Sequence, residues 1–323
     1  MRLTVDLAGR GILSTRKGKA SAVHFVGFDL YKVFSTETSD IGTLIAQGYL
    51  TKLNDVGKHP PFFEGPDDWD YVSRIFNFNY TGIADERFNI KIGHFEVPYG
   101  LEQPINTNGT LRDMTHPGNL GIKADWGFTF NGDFPDFDYE VGLSRGTGIE
   151  YYDRGNPYAL AGRIGTPRDR TTIVGASFFH GKVSNSRVVG LYKMGLADPS
   201  GVGSLEGITR RTRVGLDLQH FFESEWSLLG QVDYGRDYEQ NIFNGLLEFD
   251  YEDPDERFLI FLQGTLYARR FHDGWDEAIT SNLGIRYTPD NHWAISTMYR
   301  QILTTWFGTP RDSILFLQLR YRF

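Results

Sequence analysis

The chain has 323 residues, a formal net charge of −8, 15% aromatic residues and no Cys. That acidic balance, with no Lys/Arg run to offset it, argues against non-specific nucleic-acid binding, and absent thiols suit an oxidising compartment. No apolar run approaches the roughly 20 residues that a spanning helix needs, which excludes helical membrane insertion.

Taken from the start, Met1 leads directly into RLTVDLAGR, already strand-like, with no basic and apolar leader. For an exported protein that start implies a mature chain carrying an added initiator Met. Strands are predicted near 2–13, 20–34, 40–52, 71–83, 87–95, 121–132, 136–145, 157–166 and 170–182. Seven more fall near 207–222, 226–235, 242–252, 257–269, 278–288, 291–303 and 311–323. Short connections rich in Pro, Asp and Glu (35–39, 84–86, 133–135, 166–169, 223–225, 253–256 and 288–291) alternate with long ones. The long ones are 53–70, 96–120, 146–156, 183–206, 236–241, 270–277 and 304–310. Short then long is the pattern of periplasmic turns and extracellular loops. The piece Arg187–Met194 reads as a further strand. Two periplasmic termini require an even count, so 183–206 is placed in one outer loop. Sixteen strands are expected, with eighteen the rival.

Alternation assigns the faces. The last strand carries Leu315, Leu317, Leu319, Tyr321 and Phe323 on one side and Phe316, Gln318, Arg320 and Arg322 on the other. Trp126, Phe128 and Phe130 likewise alternate with Asp125, Thr129 and Asn131, and Leu247, Phe249 and Tyr251 with Asn244, Glu248 and Asp250. A soluble sandwich buries its apolar face and has no reason to concentrate aromatics at strand ends. A membrane barrel turns that face to lipid, and one of sixteen strands encloses water behind a polar wall. The expectation is a single all-β domain, residues 1–323, a transmembrane antiparallel barrel of a Gram-negative outer membrane.

The segment Ile90–Gln103, IKIGHFEVPYGLEQ, resembles the phosphate-selective porin family typified by porin O and porin P. The matching residues are Gly93, Phe95, Pro98, Tyr99, Leu101 and Glu102. The resemblance implies a sixteen-stranded homotrimeric porin whose third loop, here 96–120, folds into the lumen. That family's phosphate selectivity goes with constriction lysines, whereas 96–120 has Arg112 as its one basic side chain besides His116, beside Glu96, Glu102 and Asp113. Phosphate specificity is therefore not carried over.

The faces place Arg2, Lys91, Arg163, Arg211, Arg213, Arg286, Arg300, Arg320 and Arg322 in the lumen with Asp6, Asp125, Glu140, Asp217, Asp233, Glu248 and Asp250. Barrel closure gathers Arg286, Arg300, Arg320 and Arg322 into a basic stripe that an inward loop bearing Glu102 and Asp113 would face across the pore. Candidate constriction residues are thus Glu102, Arg112, Asp113, Arg286, Arg300, Arg163, Arg211, Arg213 and Lys91. The alternative role for each arginine is a local ion pair that holds the wall. The eight His are scattered, and neither a Gly-x-Ser-x-Gly elbow nor a His-Glu-x-x-His helix occurs, so no catalytic residue, cofactor or metal is expected. The expected function is passive diffusion of small hydrophilic or charged solutes, with outer-membrane lipid and lipopolysaccharide as surroundings. The alternative is a sleeve holding a partner such as a multihaem cytochrome.

Overall fold

Period-two alternation gives every strand one apolar and one polar face, and such strands must hide their edges from lipid by pairing. The computed structural model does this completely: sixteen antiparallel strands close into one barrel. It describes residues 1–16, 18, 20–54, 69–84, 87–102, 109–113, 119–148, 156–184, 208–222, 225–271, 274–305 and 311–323. The strands are β1 (Arg2–Ser14), β2 (Ala20–Ser35), β3 (Asp40–Asn54), β4 (Trp69–Tyr80), β5 (Asn89–Glu96), β6 (Ala124–Asp133), β7 (Asp138–Ser144) and β8 (Tyr158–Gly165). They continue with β9 (Thr172–Ser184), β10 (Ile208–Phe221), β11 (Trp226–Asp237), β12 (Gln240–Glu252), β13 (Phe258–Phe271), β14 (Gly274–Tyr287), β15 (Trp293–Thr304) and β16 (Ser313–Arg322). Each pairs with its neighbours in sequence, and β9 pairs directly with β10. Arg187–Met194 lies outside the described residues, and the barrel closes without it.

Closure joins β1 to β16 in the register Asp6↔Arg322 to Ser14↔Ile314. The Val5 N–H donates to the Phe323 carbonyl at 2.7 Å and the Phe323 N–H to the Val5 carbonyl at 3.1 Å, so the last residue belongs to the seam. On the lumen side Arg320 donates to Asp6, and Arg322 donates to Asp29 at 2.5 Å. The Tyr49 hydroxyl adds a 2.7 Å bond to Asp29.

Outside, Leu7, Val26, Leu50, Phe128, Leu216, Leu247, Leu262 and Leu317 stand exposed in a continuous apolar band. A cluster of rings closes its periplasmic edge: Trp226 on Phe249 (4.9 Å), Phe258 on Tyr287 (4.6 Å), Trp293 on Tyr321 (4.7 Å) and Phe134 on Phe137 (4.7 Å). This is the interfacial girdle that aromatics form where one end of the ring is wet. Leu216 is 61% exposed midway along β10. Replacing it by Arg should cost about 2–4 kcal/mol of stability in lipid, the penalty for a charge facing acyl chains near the midplane. Urea unfolding in liposomes measures this, and the same change at an exposed loop position should cost almost nothing.

Turn chemistry agrees with the reading of the short connections. In 288–292 Asp290 accepts backbone N–H bonds from Trp293 (2.8 Å) and His292 (2.7 Å), which hold its carboxyl below the usual carboxylate range. Two expected long loops differ. The segment 236–241 contains only the turn residues Tyr238 and Glu239, and 270–277 is mostly ladder, with Arg269 opposite Asp276 and Phe271 opposite Gly274. Their Asp, Gly and Glu content reads as loop. In the barrel, neighbouring strands offer hydrogen-bond partners beyond the apolar band, and the ladder extends.

Candidate functional site: a loop folded into the barrel

The connection from β5 to β6 is residues 97–123 (L3 below), and its described parts, 97–102, 109–113 and 119–123, leave the wall and enter the lumen. Its base is closed by a 3.0 Å bond from the Val97 N–H to the Lys123 carbonyl. Two polar contacts and an apolar one seat the outgoing limb on the far wall. The Tyr99 hydroxyl donates to Asp233 at 2.8 Å, and the Gly100 N–H to the Ser177 hydroxyl at 3.0 Å. Val97, Tyr99, Leu120 and Ile122 bury themselves against Ala159, Ala161, Phe179 and Val183 of β8 and β9. Burial, reinforced by the Asp233 carboxylate, raises the Tyr99 hydroxyl pKa. Gly100–Glu102 forms one turn of 3-10 helix. There the Leu101 N–H donates to Gln231 at 2.9 Å, and Leu101 packs on Leu229 and Leu246.

The tip, 109–113, is pinned to β12–β16 and β1. Leu111 plugs a pocket of Leu259, Phe261, Met298 and Phe316. Arg112 pairs with Asp250 (2.9 Å) and Glu248 (3.3 Å). Asp113 pairs with Arg300 and accepts from Asn282 at 3.0 Å, while its backbone exchanges two bonds with Gln263 at 3.0 and 2.8 Å. The Gly109 carbonyl accepts from Gln318 at 2.8 Å, and that of Thr110 from Arg10 at 3.4 Å. Gly109 has a φ of 71°, which strains any L side chain, and a Cβ there would also push on the Arg320 guanidinium 2.2 Å away. On the returning limb Asn119 accepts from Arg213 (2.8 Å) and Asn244 (2.7 Å) through its side chain, and from Arg211 (3.1 Å) through its carbonyl.

The nine candidate residues therefore divide. Arg112, Asp113, Arg211, Arg213 and Arg300 meet around L3. Arg163 and Lys91 sit lower, beside a cavity of about 550 Å³ at the periplasmic end, where Arg163 pairs with Asp217 (2.7 Å) and Lys91 with Glu140 (2.7 Å). Arg286 pairs with Glu252 at 2.8 Å near that rim, and both side chains are part-exposed. The Glu102 side chain lies outside the described residues. The expected gap between an acidic loop and an arginine stripe is closed, because Asp113 contacts Arg300 directly while Arg320 and Arg322 face Asp6 and Asp29. A buried charge left without its counter-ion costs several kcal/mol, so loop and wall charges meet instead of standing apart.

Sequence reading missed Leu111, Asn119, Gln231 and Asp237, the last of which pairs with Arg213 at 2.6 Å. One signal was present. Leu229, Leu246, Leu259, Phe261, Met298 and Phe316 are apolar breaks in the polar inner face of β11–β16, and Leu101 and Leu111 of L3 seat in them.

No family model matches the sequence, and no curated protein does. Solved structures do match in shape over the whole chain. An anion-selective porin from Comamonas acidovorans superposes with a TM-score of 0.66 at 10% identity, covering 100% of this chain and 99% of that one. OmpF of Salmonella typhi, solved with daunomycin, gives 0.67 at 12%, covering 100% and 97%. In-vitro folded OmpT of Vibrio cholerae, in a trimer form, gives 0.63 at 10%, covering 100% and 98%. The fold is that of an outer-membrane porin-type barrel. The apolar band and closed strand order place the chain in a bacterial outer membrane. The finer resemblance to porin O and porin P rests on the motif at 93–102.

Proposed function

We propose that this barrel is a passive channel for small hydrophilic or charged solutes, with L3 setting its narrowest cross-section, and that it is not an enzyme. The observation that carries the reading is the docking of L3. Every contact of L3's tip and limbs described above falls on β8–β16 or on Arg10 of β1, so the loop narrows the lumen from one side. The constriction is built by Arg112, Asp113, Arg211, Arg213 and Arg300, with Glu102 on the same loop, and Lys91 and Arg163 line the passage below. The buried charges are engaged with one another, which suits a rigid conduit. A loop pinned inside the lumen favours a channel over a sleeve, whose interior must stay free for a partner such as a cytochrome.

The assembly we propose is a homotrimer in lipid and lipopolysaccharide, as the solved trimer form of a similar barrel suggests. Gly9 and Gly11 on the outer face of β1 give one wall the low relief that close protomer contact needs.

Purified protein added to planar bilayers should produce stepwise, ohmic conductance in KCl, and a reversal potential in a KCl gradient reports its ion preference. Absence of steps at high protein dose, with the folded barrel verified by its heat-modifiable gel migration, defeats the proposal.

A further inference from the structure

The inner wall opposite L3 differs from the rest. On β2–β4 the side chains facing inward at mid-height include Val23, Phe25, Tyr49, Val72 and Ile75. Residues of opposite parity on the same strands, Val26, Phe28, Leu50 and Tyr71, are the exposed ones, which fixes the sidedness. Between the rims, the one described charged side chain facing inward from β2 and β3 is Asp29, held by Tyr49 and Arg322. Val23, Phe25 and Val72 are part-exposed, so this apolar strip borders the lumen, and no apolar cluster of the described L3 residues includes it. Phe25 and Tyr49 meet edge to face, with centroids 5.9 Å apart and planes at 73°. The Tyr49 ring lies over Gly27, where a Cβ would come within 2.2 Å of it, so the ring is fixed in place.

At the edge of this strip stands Arg10, whose register partner is Val23. Its Nε and Nη2 donate to Gln318 Oε1 at 2.9 and 2.7 Å, and Nη2 also reaches the Thr110 carbonyl at 3.4 Å. No carboxylate of the described residues forms an ion pair with it, and its Nη1 has no hydrogen-bond partner among them. Arg112, Arg163, Arg213, Arg300, Arg320 and Arg322 each face an acid. Arg10 is therefore a part-exposed guanidinium oriented by neutral acceptors, and the acid nearest to it, Asp113, is already paired with Arg300, while Arg320 adds a second positive neighbour.

Resting on the channel reading above, we propose that Arg10 with the strip of Val23, Phe25, Tyr49 and Val72 is a binding station for aryl monocarboxylates. The unpartnered Nη1 takes the carboxylate in a charge-assisted hydrogen bond, and the flat body lies along the Phe25 and Tyr49 rings. A carboxylate adds negative charge where Arg10, Arg300 and Arg320 share Asp113, and the strip desolvates an apolar face that the charged half of the lumen does not accept. Solutes with only one of the two features, acetate or benzyl alcohol, gain only part of this.

The test uses the full chain in detergent micelles, with benzoate as probe and saturation-transfer NMR as readout, alongside KCl conductance of the same preparation in bilayers. Wild-type protein should bind benzoate about tenfold more tightly than acetate or benzyl alcohol. Arg10→Gln should remove about tenfold of the benzoate affinity, Arg10→Lys should restore part of it, and Phe25→Ser should weaken benzoate while leaving acetate unchanged. The wild-type comparison needs no variant to fold. Benzoate no tighter than acetate and benzyl alcohol overturns the station, even where KCl steps are normal. Selective benzoate binding without KCl steps supports the station and overturns the channel.

Discussion

Replacing Leu111 by Asp should release the tip of L3 and raise single-channel conductance by about twofold or more, since pore width sets throughput. Leu111 is 7% exposed, buried among Leu259, Phe261, Met298 and Phe316. Burying that Leu contributes about 2 kcal/mol of docking. A carboxylate in the same socket lies among apolar side chains, the nearby Arg112 and Arg300 are already paired with Asp250 and Asp113, and desolvating it costs more than the socket returned. The strands depend on ladder bonds that this change does not touch, so the barrel persists while its constriction widens. Bilayer recordings of the variant give the conductance, and protease cutting within 97–123 gives an independent sign of release. Unchanged conductance with an uncut loop would show that the polar contacts at Arg112 and Asp113 hold the tip alone.

Replacing Asp6 by Ala should weaken the closed barrel by about 3–5 kcal/mol, the cost of stranding buried guanidinium groups. Asp6 is fully buried on β1, accepts from Arg320 of β16, and has Arg322 at 3.8 Å. Without it, Arg320 loses its counter-ion, and the seam keeps its backbone pairing and the neutral-acceptor bond of Arg10 to Gln318. The temperature at which the folded band disappears on unboiled gels should fall by many degrees. The double change Asp6→Ala with Arg320→Met removes both charges and should recover much of the loss, because an apolar pair of similar volume avoids the desolvation penalty. A double variant as weak as the single one would mean that the seam needs the ion pair itself.

The two predictions separate what alternation reveals from what it hides. Strand number and sidedness follow from a local rule. Trp126, Phe128 and Phe130 face out because every second side chain shares a face, and Asp125 and Thr129 then face in whatever else the chain does. The turns at 253–256 and 288–291 follow equally from residues that satisfy their own backbone. The entry of L3 into the lumen was legible only through the Gly93–Glu102 resemblance. Its path depends on contacts across the barrel: Tyr99 to Asp233 spans 134 residues and Asp113 to Arg300 spans 187.

For that reason the charged candidates were found as residues but not as pairs. Arg211 and Arg213 are inward by parity, yet nothing near them in sequence indicates that Asn119 is what they hold. Arg286 has the same parity and lies elsewhere, because position along a strand sets height in the membrane and parity does not. By itself the amino-acid order determined a sixteen-strand membrane barrel with a polar interior, since alternation and turn chemistry act over a few residues. Only the tertiary structure decided which wall the inner loop grips and which arginine meets which acid. Those outcomes depend on charges and apolar sockets brought together from strands more than a hundred residues apart, where burial makes an unmatched group expensive.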